Sequence, residues 1–321
     1  MGNERKKILK RKLAWFALKG FASLSEVLPL SWNYFIGNLL GNLAYLVIGR
    51  HRKIAINSLS VAFPEMSLKE KKKIVRFYFS FMAQSTFELL FFVKNPHHLE
   101  NIQIEGKENL EKALEKKKGV LLLTAHLGNF PLMLLELAKE GYPINIVARP
   151  MRDKDTDDYV NSLRIKAGVK TILSYPRKVC VSGILNALRN NEIVVIQVDQ
   201  NFGTGGVWVK FFGKLAATPV GPITLALRTK AAIVPAYMIR ESTPKGMASP
   251  RGKHQLKIFS EKELIVKENK NETILLNAIE LTRVIEGWIR EFPSQWAWVH
   301  RRWKSRPSEQ VKESRFKVEG M

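Results

Sequence analysis

From residue 119 onward the chain alternates short apolar runs with amphipathic stretches, and this alternation restricts its fold more than any other feature. Residues 120–125, 144–149, 171–174 and 193–199 are too short and too apolar to be anything but buried strands. Residues 131–139, 155–167 and 178–190, which lie between them, read as helices. Strands separated by helices pair in parallel through right-handed crossovers. A strand at 207–212, a helix near 219–230 and strands at 231–240 and 254–259 continue the series. A last helix carries Ile274, Ala278, Leu281, Ile285, Trp288 and Phe292 as one apolar stripe. The expected fold class is α/β, a largely parallel central sheet flanked by helices. Gly203-Thr204-Gly205-Gly206 leads into a strand instead of a helix, which excludes Rossmann and P-loop phosphate sites and reads as a hairpin turn.

The front of the chain has a different character. Residues 1–12 hold six cations, and residues 27–49 then run for 23 positions without a charge. That is long enough to cross a bilayer, but Pro29, Asn33, Asn38 and Asn42 interrupt it and Arg50, Arg52 and Lys53 follow directly. Two basic flanks suit an in-plane helix with Trp32 and Tyr34 at the interface, and a spanning helix stays open beside it. Within the run, Gly37 and Gly41 form a small-residue pair that lets another helix approach closely. Ser67 and Glu70 form a capping box that starts a second apolar helix rich in Phe. Glu88, the acid of that aromatic stretch, is expected to be a satisfied structural group. The expected organisation is a basic, membrane-associated helical region over 1–56, one α/β domain over 57–307 and a polar tail over 308–321.

The formal charge of +23, from 52 Lys+Arg against 29 Asp+Glu, points to anionic partners: a membrane surface, an acidic carrier or nucleic acid. No nucleic-acid module accompanies the basic aromatic segment from Trp296 to Arg306, so a solvated or phospholipid-facing patch is expected there and no nucleic-acid partner. The single Cys180 excludes a disulfide framework and a cysteine-rich zinc site. His97 and His98 have no third ligand in view, so no metal is expected, and no Gly-x-Ser-x-Gly elbow exists.

Three polar residues fall at strand ends. His126, Arg149 and Asp199 each close an apolar run, and ligands of open parallel sheets bind beyond the carboxyl ends of the strands. After His126, Gly128 and Asn129 lead into a helix that Asn129 can cap and whose first turn Pro131 suits. The imidazole would take a proton from an attacking hydroxyl, and the helix-end amides would face a developing oxyanion.

The string Thr124-Ala125-His126-Leu127-Gly128-Asn129-Phe130 resembles the core motif of the bacterial lipid A late acyltransferases, lauroyl/myristoyl transferases of the lysophospholipid-acyltransferase-like superfamily. Ser58 to Pro64, Arg149-Pro150, Val209 to Ala232 and Trp298 to Pro307 resemble further blocks in the same order. The resemblance implies fatty acyl transfer from an acyl-carrier-protein or acyl-CoA thioester to a hydroxyl of an anionic membrane glycolipid. It also implies no cofactor and a place on the cytoplasmic face of the cell inner membrane. His126 and Asp199 become the catalytic candidates, with Gly128, Asn129, Arg149 and Arg164 binding substrate. One departure stands out: the family carries an acid five positions after its histidine, where this chain has Pro131. Three readings stay open: Asp199 or Glu88 supplies that carboxylate, the histidine acts alone, or the chain binds lipid without catalysis.

Overall fold

A computed structural model describes residues 12, 15, 16, 19–96, 102–203, 205–241 and 253–307. His97, His98 and the expected tail over 308–321 lie outside the described residues. Nine strands alternate with helices in the described chain. After a helical segment at 19–27 come α1 (Leu30–Val47), α2 (Gly49–Ala62) and α3 (Leu68–Lys94). Then follow β1 (Gln103–Glu105), α4 (Lys107–Glu115), β2 (Val120–Thr124), α5 (Phe130–Lys139), β3 (Ile144–Ala148), α6 (Lys154–Lys166) and β4 (Lys170–Leu173). The rest is α7 (Arg177–Arg189), β5 (Ile193–Gln197), β6 (Val207–Phe211), β7 (Lys214–Thr218), α8 (Gly221–Thr229), β8 (Ala232–Arg240), β9 (His254–Ile258) and α9 (Lys270–Glu291).

Seven strands form one sheet in the order β1-β9-β8-β2-β5-β3-β4. β8, β2, β5, β3 and β4 run parallel, while β9 pairs antiparallel with β8 and carries β1 alongside it. Side chains of β2 alternate between two layers because a strand has period two. Leu121 and Leu123 join the core beneath α2, α7, α8 and α9, and Val120 and Leu122 join the core under α4 and α5. The chain leaves β2 to reach β3 beyond β5, then returns to β5, which places the ends of β2 and β5 side by side where the winding reverses.

Three expectations change. The apolar run over 27–49 breaks at Leu28–Pro29, and among the described residues no helix is long and apolar enough to cross a membrane. The boundary expected between residues 56 and 57 falls inside α2, whose Ala55 and Leu59 are fully buried in the main core. Gly203, Gly205 and Gly206 precede β6 outside any strand, and the hairpin turn is Phe212–Gly213, joining β6 to an antiparallel β7 that the sequence pattern did not reveal.

α1 lies along α3 with almost no gap. A Cβ on Gly41 would sit 2.5 Å from the Cα of Ser80, and one on Gly37 would sit 2.7 Å from the Cα of Gln84. The capping box holds, with the Ser67 N–H donating to Glu70 Oε2 at 2.9 Å and the Glu70 N–H to Ser67 Oγ at 3.3 Å. Gly41→Ala must force the two backbones apart and is expected to cost about 1–3 kcal/mol. Gly287→Ala, on α9 with nothing within 4 Å of the added carbon, should instead gain up to about 1 kcal/mol from helix propensity. Urea midpoints of the two variants moving in the same direction would contradict this packing.

Candidate active site

His126 follows β2 and Asp199 follows β5, the two neighbouring strands at the reversal. The register pairs Thr124 with Gln197, so each residue stands two positions beyond a paired end. Asp199 Oδ1 lies 2.9 Å from His126 Nδ1, and Asp199 Oδ2 accepts from the His126 backbone N–H at 2.9 Å and from Trp296 Nε1 at 2.8 Å. The carboxylate is almost fully buried, while the imidazole keeps 23% of its side chain open. Burial pushes the Asp199 pKa up, but the charge of His126 and the donors around the carboxylate outweigh it and hold the value at about 2. The same balance acts on His126: burial favours the neutral ring, and the Asp199 charge and hydrogen bond overcome that and raise its pKa.

On its other side the imidazole meets a residue that sequence reasoning missed. Gln200 Nε2 lies 2.8 Å from His126 Nε2 and 2.8 Å from His300 Nε2. An amide NH₂ has two donors, so this geometry assigns a lone pair to Nε2 of both rings and the proton to Nδ1. His126 thereby donates through Nδ1 to Asp199 and presents Nε2 as a base. Burial and the neighbouring His126 lower the His300 pKa. Gln200 carries no signal beyond following Asp199, and His300 was legible only as part of the Trp298 to Pro307 block.

The segment from Trp296 to Arg306, expected as a solvated or phospholipid-facing patch, is part buried and part exposed. Trp296, Trp298 and Arg302 are buried, leaving Arg301, Lys304 and Arg306 exposed. Arg302 donates to the Gln200 carbonyl at 3.3 Å and to Thr218 Oγ1 at 2.6 Å, which ties β7 to the sheet edge that bears Asp199. The aromatic rings fill the space beneath, with Phe211 packed 5.8 Å from Trp296 and Phe63 6.0 Å from Trp298.

Gly128 and Asn129 hold the loop in place. Gly128 has φ +60°, and a Cβ there would lie 1.8 Å from the Met238 carbonyl oxygen. Its N–H donates to the Gln295 carbonyl at 3.0 Å, and the Leu132 N–H is capped by Asn129. Two of the amides expected to face an oxyanion are therefore used within the fold. Asn129, buried, caps α5 and donates to Glu88 Oε2 at 2.7 Å, so its amide points away from the imidazole.

Glu88 is the structural group anticipated for it. Arg240 donates to Oε2 at 3.0 Å, His254 Nε2 lies 3.1 Å away and the Tyr34 hydroxyl donates to Oε1. Burial would raise its pKa, and Arg240 and His254 together hold it far below the usual range. Of the two carboxylates considered for the place of the motif acid, Asp199 is the one at the histidine, and Pro131 lies in the first turn of α5.

Arg149 is exposed at the end of β3, one strand beyond β5, and Arg164 is half-buried on α6, where burial lowers its pKa. Neither touches His126. Met151, Leu173, Tyr175, Val179 and Phe202 are exposed apolar side chains that follow the carboxyl ends of β3, β4 and β5. Among the described residues no group of three or more His, Cys, Asp or Glu is placed to hold a metal ion.

The family profile described as "Bacterial lipid A biosynthesis acyltransferase" matches residues 2–305. The chain is 26% identical over 302 residues to the lipid A biosynthesis palmitoleoyltransferase of Escherichia coli K12, covering 92% of each chain. It is 27% identical over 299 residues to the lipid A biosynthesis lauroyltransferase of the same organism, again covering 92% of each. The phosphatidylinositol mannoside acyltransferase of Mycobacterium tuberculosis CDC 1551 / Oshkosh matches at 28% identity over 135 residues, 42% of this chain and 43% of that one. The crystal structure of the 1-acyl-sn-glycerophosphate acyltransferase PlsC from Thermotoga maritima aligns with a TM-score of 0.37 and 16% identity, over 80% of this chain and 97% of that one.

The raised His126 pKa has a direct test. NMR titration should show His126 protonating above the ordinary value of about 6.5. Asp199→Asn removes the charge and should move the titration to lower pH. An unchanged midpoint would mean that Asp199 does not set the protonation of the ring.

Proposed function

The chain belongs to the bacterial lipid A biosynthesis acyltransferase family, O-acyltransferases that act on lipids, and from that premise we propose that it moves a fatty acyl group from an acyl-carrier-protein or acyl-CoA thioester to a hydroxyl of a lipid A precursor or related anionic glycolipid. The observation that carries this reading is the contact of His126 Nδ1 with a buried Asp199 at the carboxyl edge of a parallel sheet. His126 Nε2 takes the proton of the acceptor hydroxyl, which displaces the Gln200 amide as it arrives. The hydroxyl oxygen attacks the thioester carbonyl, and collapse of the tetrahedral intermediate breaks the C–S bond. The imidazolium returns its proton to the leaving thiolate, so the ring ends neutral. Asp199 stabilises the imidazolium through its fixed negative charge and keeps Nδ1 protonated throughout.

Asn129 and Gly128 act by placing His126 and not by touching substrate. Arg149 supplies positive charge to the phosphate of donor or acceptor, and Arg164 stands nearby on α6 for the same purpose. The exposed apolar side chains at the ends of β3, β4 and β5 give the acyl chain a surface to lie on. The apolar outer side of α1 seats the protein on the cytoplasmic face of the cell inner membrane.

Purified wild type given radiolabelled acyl-carrier protein and an acceptor panel should transfer label. The panel holds a lipid A precursor, a phosphatidylinositol mannoside and a lysophospholipid. His126→Ala and Asp199→Asn should each lose about 10²–10⁴-fold in rate. Wild type that binds the lipids without transferring label would favour a lipid-binding role instead, with Pro131 marking the lost acid.

A further inference from the structure

A cavity lies between α3 and α1. It encloses about 330 Å³, within the range of small-ligand sites. Lys73 and Arg76 supply its charge, Asn38, Asn42 and Ser80 its neutral polar wall, and no acid lines it. The polar groups are pre-set. Arg76 Nε donates to Asn42 Oδ1 at 2.6 Å, and Ser80 Oγ donates to Asn38 Oδ1 at 2.6 Å. This fixes the guanidinium by its Nε edge, and Lys73 joins the lining one helical turn away. Phe77 and Phe81 close the remaining wall.

The cavity's position on α1 decides what chemistry it meets. Trp32, Phe35, Leu39, Leu43 and Leu46 form an exposed apolar stripe with helical spacing. Asn38 and Asn42 precede Leu39 and Leu43 by one residue, about 100° around the helix, so they flank that stripe on the side of α3. A helix lying in a bilayer interface buries such a stripe in the acyl layer and holds its flank at the depth of the phosphates. Lys73 and Arg76 then stand at that depth.

We propose that this groove binds the phosphate of an anionic phospholipid headgroup while the α1 stripe enters the same bilayer. The proposal rests on the membrane seat described above and names its contact. The occupant is a lipid of the bulk membrane and not the acyl acceptor, since His126 does not line the groove. A positive charge held near an anionic leaflet gains about fivefold in affinity, so the pair is expected to contribute about thirtyfold.

The test is co-sedimentation of the full chain with vesicles of phosphatidylcholine alone or mixed with phosphatidylglycerol. On the anionic vesicles, Lys73→Gln with Arg76→Gln should bind about thirtyfold more weakly than wild type. Lys117→Gln with Lys118→Gln, which removes the same charge before β2, should lose less than about threefold. Because Arg76 also braces Asn42, Lys73→Gln alone is included and should lose about fivefold. Equal losses in the two double variants would mean diffuse attraction and overturn the site, as would full binding by either Lys73 variant. The assay reads binding only, so its result holds whether or not the chain transfers acyl groups.

Discussion

Asp199 is an ionised carboxylate enclosed by protein, and much of the molecule is arranged around that fact. Removing a carboxylate from water costs several kcal/mol unless donors replace the solvent. Here the donors come from parts of the chain distant in sequence: a backbone N–H and an imidazole after β2, and an indole from beyond α9. Each must be placed to within a few tenths of an ångström, so the end of β5, the loop after β2 and the segment around Trp296 are held mutually. The sheet register supplies the first two. The aromatic packing of Phe211, Trp296 and Trp298 supplies the third.

Glu88 offers the contrasting case. It is as deeply enclosed as Asp199, yet its partners are Arg240, His254, Tyr34 and Asn129, and no part of it faces an opening. One carboxylate sits against a ring that stays partly open, the other against a guanidinium that is wholly closed in. The difference in chemical capacity follows from what surrounds the two acids and not from the acids themselves. Asn129 connects the two centres, since it caps the helix that follows His126 while donating to Glu88. Breaking the Glu88 cluster thus reaches the loop that bears His126 through Asn129.

The sequence pattern showed β2, β3 and β5 well because each is a short, mostly apolar run, and such a run of buried residues reads as a strand. His126, Arg149 and Asp199 could be placed at one edge for the same reason. β1 and β7 escaped because three residues of mixed polarity, or a strand with Lys214 at its head, carry no periodicity strong enough to read. The buried share of the segment from Trp296 to Arg306 escaped because composition has no depth: an arginine that donates to carbonyls inside a fold, as Arg302 does, looks the same as one in water. Gln200 could not have been found, since its place between two histidines depends on where a residue a hundred positions later comes to rest. The choice between Asp199 and Glu88 was likewise a matter of three-dimensional distance that no spacing encodes.

The loop bearing His126 is closed by the segment 295–297. Leu127 bridges to Trp296, the Gly128 N–H donates to the Gln295 carbonyl, and the Ala297 N–H donates to the His126 carbonyl. During synthesis, α1 leaves the ribosome long before these partners do. A chain released short of Trp296 therefore carries both His126 and Asp199 but lacks the backbone and indole partners that hold them together.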